Sequence, residues 1–397
     1  MVTIKKQKSK KIALVQYSSN FGGSTISGLL IAKYLLSYNY DVHVIFGFSG
    51  PFEKIYRAEG CTTEVIPHRN WLRAGSFLHA SKNWIREFRT SHLFEKTYGR
   101  AGVDIVYINS LVSLSAALAA RRCNLMTIWH LRELFSDVGG EIHAPRLIGR
   151  HLIRYILRRF SSQVVCISKA VEYNLLGVHH SATTQIIPNA VDRIYFEKKN
   201  KKEAREALGL PPQVTVIGIP GTLRPLKGHD FLFRSAKKVL KLHPSAVIAI
   251  SGTHSGSYAE SVIQQAKSTG VAANCKFLGN IPDMRNFYAA SDIICVPSKS
   301  ESFGRTVIEA FATSRPVVAS AVGGIVETIK DGVNGFLVEY NDTEKLAEVL
   351  IELIENKTLA RKISEEARNC AALEYTADIC GNRIKDVINK ATEQYGK

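Results

Sequence analysis

Short apolar runs alternate along the chain with helix-length amphipathic segments. In the first half, Ile12–Gln16, Val42–Phe46, Ile105–Ile108, Leu125–Trp129, Val164–Ile167 and Gln185–Ile187 are brief and rich in β-branched residues, which predicts strands. Ser24–Ser37 and Leu111–Arg122 lie between them with the length of helices. The second half repeats the rhythm, with strands predicted at Val214–Ile219, Ala246–Ser251, Lys276–Leu278, Ile293–Val296 and Val317–Ala319. Its helices are predicted at Asp230–Leu242, Tyr258–Ser268 and Arg305–Thr313. Near-continuous apolar strands separated by helices predict parallel sheets covered on both faces, and so two doubly wound α/β domains. The polar run Lys198–Lys202 and the sequence Leu210-Pro211-Pro212 put the boundary within Arg193–Pro212, giving domains 1–192 and 193–376. From Thr343 onward the pattern is helical only: Thr343–Asn356, Thr358–Glu374 and Ala377–Gln394.

Composition changes this picture little. A chain of 397 residues exceeds what one core organises, and 45% hydrophobic with 22% charged residues is ordinary for a globular protein. No apolar stretch has the length of a membrane span. Lys5, Lys6, Lys8, Lys10 and Lys11 precede an apolar run, but Ile12–Val15 is too short for a signal-peptide core, so it reads as the first strand behind a basic tail. The 7 cysteines are scattered without a C-x-x-C pair, which points to a reducing cytoplasm and no structural zinc.

Charge is more informative. Of the net +17, residues 1–195 hold 25 Lys+Arg against 12 Asp+Glu, so the basic excess lies in the first half and implies an anionic partner. Arg146, Arg150, Arg154 and Arg158 recur every four residues opposite Leu147, Ile148, Leu152, Ile153, Ile156 and Leu157. Trp71-Leu72-Arg73 and Lys82–Arg89 interleave aromatics with cations. Such patterns suit a peripheral contact with an anionic membrane, here its inner face, or else a solvated helix face. The spacing matches no nucleic-acid recognition module.

The richest chemistry follows the strand predicted at Ile293–Val296. Pro297-Ser298-Lys299-Ser300-Glu301-Ser302-Phe303-Gly304 leads into a helix starting near Gly304, at the strand's C-terminal end, where ligands bind in such sheets. The amides of Phe303, Gly304 and Arg305 would point out of the helix N-terminus, as a diphosphate requires. Glu301 in the loop and Glu309 in the helix can both reach one cleft. The bland alternative is N-cap chemistry for Glu301 and Ser302, with Glu309 on a solvated face.

This segment resembles the E-x7-E signature of the family-4 glycosyltransferases. Gly221-Thr222-Leu223-Arg224-Pro225-Leu226-Lys227-Gly228 resembles the family's G-R-L-x-x-x-K-G turn. Phe277-Leu278-Gly279, Tyr288–Asp292, Arg315–Ala319, Gly323–Glu327 and Asp331–Gly335 follow in family order, while Gly22-Gly23, Cys166–Ser168 and Ile187–Asp192 match more loosely. The resemblance spans roughly residues 11–375 and implies the GT-B fold. In it, two Rossmann-like doubly wound domains face each other across a cleft, and the helix 377–394 crosses back onto the N-terminal domain. It implies an acceptor domain first and a nucleotide-sugar donor domain second, with retention of anomeric configuration, no cofactor and no metal. Accordingly no Asp-x-Asp motif is present. The implied partners are a nucleotide sugar and a glycan or lipid-linked acceptor.

Carried onto this chain, the resemblance assigns Lys227 to the donor diphosphate, Glu301 to hydroxyls of the donor sugar and Glu309 to the ribose. Leu278 and Gly279 would hold the base through their backbone, and Gly22-Gly23 would let the chain approach a phosphate or the acceptor. His130, ending the predicted strand Leu125–Trp129, would lie near the sugar's 6-hydroxyl and the reacting centre. Its neighbours Arg132 and Glu133 could form an ion pair or contact the acceptor. Two positions depart from the family: Thr222 replaces an arginine, with Arg224 or Arg305 as substitutes, and Ala190 replaces a glycine. The rival readings are another GT-B activity, such as a sugar-nucleotide epimerase, and a catalytically silent sugar-nucleotide-binding protein. A phosphorylase would need a cofactor-bearing lysine and a much longer chain.

Overall fold

The computed structural model describes residues 9–68, 70–72, 77–135, 149–177, 184–252 and 256–395, with side chains of 77–83 and 394–395 excluded. Arg73, Arg146, Leu147, Ile148 and the side chains of Lys82 and Asn83, which figure in the basic patterns above, lie outside the described residues. The chain divides into two compact units: everything through Asn189 together with the segment from Ala377, and Ala190–Thr376.

The first unit is a seven-stranded parallel sheet. Its chain runs β1 (Lys11–Gln16), α1 (Gly23–Ser37), β2 (Asp41–Phe46), α2 (Phe52–Ala58), β3 (Thr62–Val65) and α3 (Phe77–Ala101). It continues through β4 (Ile105–Ile108), α4 (Leu114–Arg122), β5 (Met126–Leu131), α5 (Gly149–Phe160), β6 (Gln163–Cys166), α6 (Lys169–Leu176) and β7 (Thr184–Ile186). The strand order β3-β2-β1-β4-β5-β6-β7 makes the gap between β1 and β4 the topological switch point. Strands β1, β4 and β5 are almost wholly buried, as an interior parallel sheet demands.

The second unit has six parallel strands. It runs α7 (Lys201–Ala207), β8 (Val216–Ile219), α8 (His229–Leu242), β9 (Val247–Ser251), α9 (Ser257–Ser268), β10 (Cys275–Gly279) and α10 (Met284–Ala290). Then come β11 (Ile293–Val296), α11 (Arg305–Ala312), β12 (Val317–Ser320), α12 (Ile325–Thr328), β13 (Phe336–Val338), α13 (Thr343–Glu355) and α14 (Lys357–Glu374). The order β10-β9-β8-β11-β12-β13 puts its switch point between β8 and β11. The Val191 amide donates to the Tyr375 carbonyl at 2.8 Å, so this unit's two ends are tied side by side.

The last helix, α15 (Ala377–Tyr395), belongs to the first unit. It buries Cys380, Ile384, Val387, Ile388 and Ala391, and its Asn382 accepts from the Tyr34 hydroxyl of α1 at 2.7 Å.

Both Rossmann-like sheets match the expected fold class, with three local corrections. Strands β3 and β13 were not foreseen; both are short sheet edges, β3 being largely polar and β13 an apolar run of only three residues. Helix α4 begins at Leu114 rather than Leu111. The strand expected over Leu125–Trp129 runs to Leu131, which places His130 inside it.

Candidate active site

In the second unit, the loops that follow β8 and β11 flank the switch point and bring the sequence-predicted residues together. The Lys227 ammonium donates to Glu301 Oε2 at 2.7 Å, and the Ser298 hydroxyl reaches the same oxygen at 3.4 Å. Lys227 and Glu301 are 74 residues apart, and Gly228 is what lets their loops touch. Gly228 has φ +66° and forms the left-handed entry to α8; a Cβ there would sit 1.8 Å from the Pro297 carbonyl oxygen. The Lys299 amide closes the contact by donating to the Leu226 carbonyl at 2.8 Å. On the other side of the Glu301 loop, the Gly324 amide donates to the Glu301 carbonyl at 3.0 Å.

Glu309 is buried one turn into α11. Its Oε1 accepts from Arg305 Nε at 2.6 Å and its Oε2 from the Tyr288 hydroxyl at 2.6 Å. Burial, and then the Glu309 charge, push the Tyr288 phenol well above its usual range, so it stays protonated and donates. The Tyr195 ring packs against Tyr288 at 6.1 Å. Arg305 is therefore engaged with Glu309, while Arg224 and Thr222 are exposed at the β8 loop. Phe303 is buried, its ring edge-on to Tyr375 at 5.9 Å, so only its backbone faces the loop. Leu278 and Gly279 end β10, where the Gly279 carbonyl accepts from the Gly252 amide at 2.7 Å. Ser251 and Gly252 were missed in the sequence. The Ser251 hydroxyl accepts from the Gly221 amide at 3.1 Å, and Gly252 leaves no room for a Cβ beside the Gly221 carbonyl. Their one signal is a Ser-Gly pair closing a strand.

In the first unit a buried polar network occupies the C-terminal ends of β1, β4 and β5, next to the start of α1 at Gly23. Asn109 donates to Gln16 Oε1 and to the Ser24 carbonyl, each at 3.0 Å. Arg132 Nε donates to Asn109 Oδ1 at 2.7 Å, and its Nη1 reaches Asn189, which also accepts from Ser27 at 3.0 Å. The Arg132 charge acts on Glu133. The Glu133 carboxylate accepts from the Ser110 hydroxyl and from the amides of Leu111 at 3.2 Å and Arg132 at 3.0 Å. Burial raises its pKa against the pull of those donors.

His130 is fully buried in this network. Burial, then the charge of Arg132, holds its pKa well below the ordinary range; the Ile187 backbone opposes this, but its contact falls short of a well-formed hydrogen bond. The neutral ring accepts at Nδ1 from the Tyr107 hydroxyl at 2.7 Å and from Arg132 Nη2 at 3.3 Å. With two donors aimed at Nδ1, the proton sits on Nε2, which has no hydrogen-bond partner among the described residues. The described residues also contain no cluster of three or more His, Cys, Asp or Glu arranged for a metal.

Comparison with known proteins covers both halves. "Glycosyltransferase Family 4" matches residues 21–194 and "Glycosyl transferases group 1" matches residues 200–370. Among curated relatives, the D-inositol 3-phosphate glycosyltransferase of Mycolicibacterium paratuberculosis is 30% identical over 228 residues, 56% of this chain and 51% of that protein. The Rhodococcus jostii enzyme of the same name is 35% identical over 203 residues, 49% of this chain and 45% of that protein. The matched stretch thus spans about half the length of these relatives. Among solved structures, Anabaena HepE in complex with UDP-glucose superposes with TM-score 0.81 at 22% identity, over 96% of this chain and 99% of that one. A glycosyltransferase from Rickettsia africae gives 0.82 at 23%, over 97% and 99%. At such identities the structures speak for the fold. With a family match over each of its two halves, the chain belongs to the family-4 glycosyltransferases.

Proposed function

We propose that this chain transfers a glycosyl group from a nucleotide-diphosphate sugar to a glycan or lipid-linked acceptor, with retention and without a metal. One observation carries the reading: Lys227 and Glu301, from the two loops flanking a switch point, meet at 2.7 Å. A cation and a carboxylate there suit a diphosphate and the hydroxyls of the sugar attached to it. Residues 193–376 act as the donor domain and 1–192 as the acceptor domain. As the donor's bond breaks, negative charge grows on the leaving diphosphate. Lys227, Arg224 and the amides of Phe303, Gly304 and Arg305 are the groups to meet it. Glu309, oriented by Arg305 and Tyr288, takes the ribose hydroxyls, and Leu278 and Gly279 the base. The unpartnered Nε2–H of His130 serves the donor sugar or the reacting centre.

The basic first half gives the acceptor side an anionic or lipid-linked character, at the cytoplasmic face of a membrane. No helix among the described residues is long and apolar enough to cross one, so the contact is peripheral.

A thermal-shift screen against UDP- and GDP-sugars tests the reading, starting with UDP-glucose because HepE was solved with it. A donor at 100 times its dissociation constant stabilises by about 2.7 kcal/mol. Transfer assays with the stabilising donor follow. A shift without turnover leaves a silent binding protein, which the threonine at position 222 favours; no shift with any donor refutes the proposal.

A further inference from the structure

Exposed large apolar side chains are dispersed over most of the described surface, but four fall within ten residues of α3. Trp84, Ile85, Phe88 and Leu93 are 41%, 57%, 55% and 49% exposed. They share the solvent side of the helix with Arg89, His92 and Lys96, while Glu87, Thr90, Ser91, Phe94, Thr97 and Tyr98 are buried on the other side. The Arg122 guanidinium, ending α4, lies over the Phe88 ring at 4.3 Å. The nearby acid, Glu95, is already paired with Arg122 and with His92. Arg89, Lys96 and Arg121 have no ion-pair partner among the described residues, so the face is apolar and net positive.

The arginine stripe of α5 is a weaker candidate. Arg150 lies over the Phe135 ring at 5.3 Å, and Arg154 donates to the Leu175 carbonyl at 3.1 Å, so two of its three described members serve the unit's own packing.

We infer that the solvent face of α3 is a docking surface for an anionic phospholipid bilayer. The inference rests on the membrane contact proposed above and names its surface. A helix lying in the bilayer interface needs apolar side chains that enter the acyl boundary and cations at the headgroups, and this face supplies both in alternation. A soluble acidic glycan would account for the cations and leave the four apolar side chains in water. A second copy of this chain would set two positive faces together, which like-charge repulsion opposes.

The full-length chain is co-sedimented with vesicles of phosphatidylcholine alone and of phosphatidylcholine mixed with phosphatidylglycerol, at low and high salt. Wild type should bind the anionic vesicles and weaken as salt rises. Ile85→Asp/Phe88→Asp should lower the partition constant by about tenfold or more, since two large apolar side chains leave the lipid. Arg150→Glu/Arg158→Glu should lower it far less. Both sites are exposed, and unchanged circular dichroism melts establish that the variants fold. If the α5 variant loses binding and the α3 variant keeps it, the α3 inference is wrong while the membrane reading stands. If wild type binds neither vesicle, both fall, and the nucleotide-sugar screen still judges the glycosyl-transfer reading by itself. Concentration-dependent dimerisation abolished by the α3 variant would make the face a self-association surface and overturn the inference.

Discussion

Gly228→Ala isolates the contact that assembles the site. Two costs add. An alanine held at φ +66° pays the left-handed penalty of about 1–2 kcal/mol. Its Cβ would also sit 1.8 Å from the Pro297 carbonyl oxygen, a backbone atom that cannot swing away, so the loops must part at a cost of about 1–3 kcal/mol. Reduced freedom of the unfolded chain returns about 0.4–1 kcal/mol. Gly270→Ala is the matched control in the same unit, with φ +78° and no heavy atom within 4 Å of its Cβ, so it carries the first cost alone. Urea unfolding of the second unit should therefore rank Gly228→Ala below Gly270→Ala by about 1–3 kcal/mol. Separating the loops also separates Lys227 from Glu301, so the variant should lose its thermal response to nucleotide sugars while Gly270→Ala keeps it. Equal stabilities for the two variants would show that the loops relax freely, and the close approach would explain nothing.

Other outcomes follow from the same geometry. Lys227→Ala should abolish turnover and weaken nucleotide-diphosphate binding by about 1.5–3 kcal/mol, whereas Thr222→Ala should do little; comparable damage would make the Thr222 hydroxyl a direct ligand. Tyr288→Phe removes one of two donors on Glu309 and should raise the donor KM up to about tenfold with kcat held, the pattern of lost ground-state binding. A fall in kcat alone would place Glu309 elsewhere in the reaction. His68 is buried with its pKa held down to about 4 by burial, against about 6.5 unfolded, so between those values the unfolded state binds the extra proton and stability falls as pH drops. The loss comes to about 3 kcal/mol; His68→Phe should flatten this limb of the urea-stability profile, and an unchanged slope would acquit His68.

Much of the fold was legible because interior parallel strands must be apolar on both faces. Ile105–Ile108 and Ile293–Val296 are four-residue runs that could hardly be anything else, and both are fully buried. The edge strand Thr62–Val65 is polar on one side and sends no such signal. Of helix α3 only Lys82–Arg89 was singled out, because its outer face carries aromatics, which blur the contrast between a buried and a solvated side. At the candidate site, the spacing of Glu301 and Glu309 put both carboxylates near one strand end. What each touches depends on residues far away in sequence, Lys227 for one and Tyr288 for the other, and no local pattern encodes that. The extension of β5 to Leu131 buries His130 among groups from three strands, which its position in the sequence could not reveal.

The two units hold their polar groups in opposite ways. Around His130, every partner is itself fixed: Arg132 spans Asn109 and Asn189, and Asn109 is held by Gln16 and the Ser24 carbonyl. In a buried network, stranding one member costs about 1–3 kcal/mol, so the ring's tautomer and orientation are set before any ligand arrives. Lys227 and Glu301 are different, with side chains 24% and 15% exposed. A mostly buried ion pair is costly to break only when one charge is left uncompensated, so exchanging the carboxylate for another anion keeps the lysine paired. Under the proposed function, Lys227 would exchange Glu301 for the donor diphosphate and leave Glu301 to accept from the sugar hydroxyls. The His130 ring is thus held rigidly in the first unit, while the Lys227–Glu301 pair of the second is free to exchange partners.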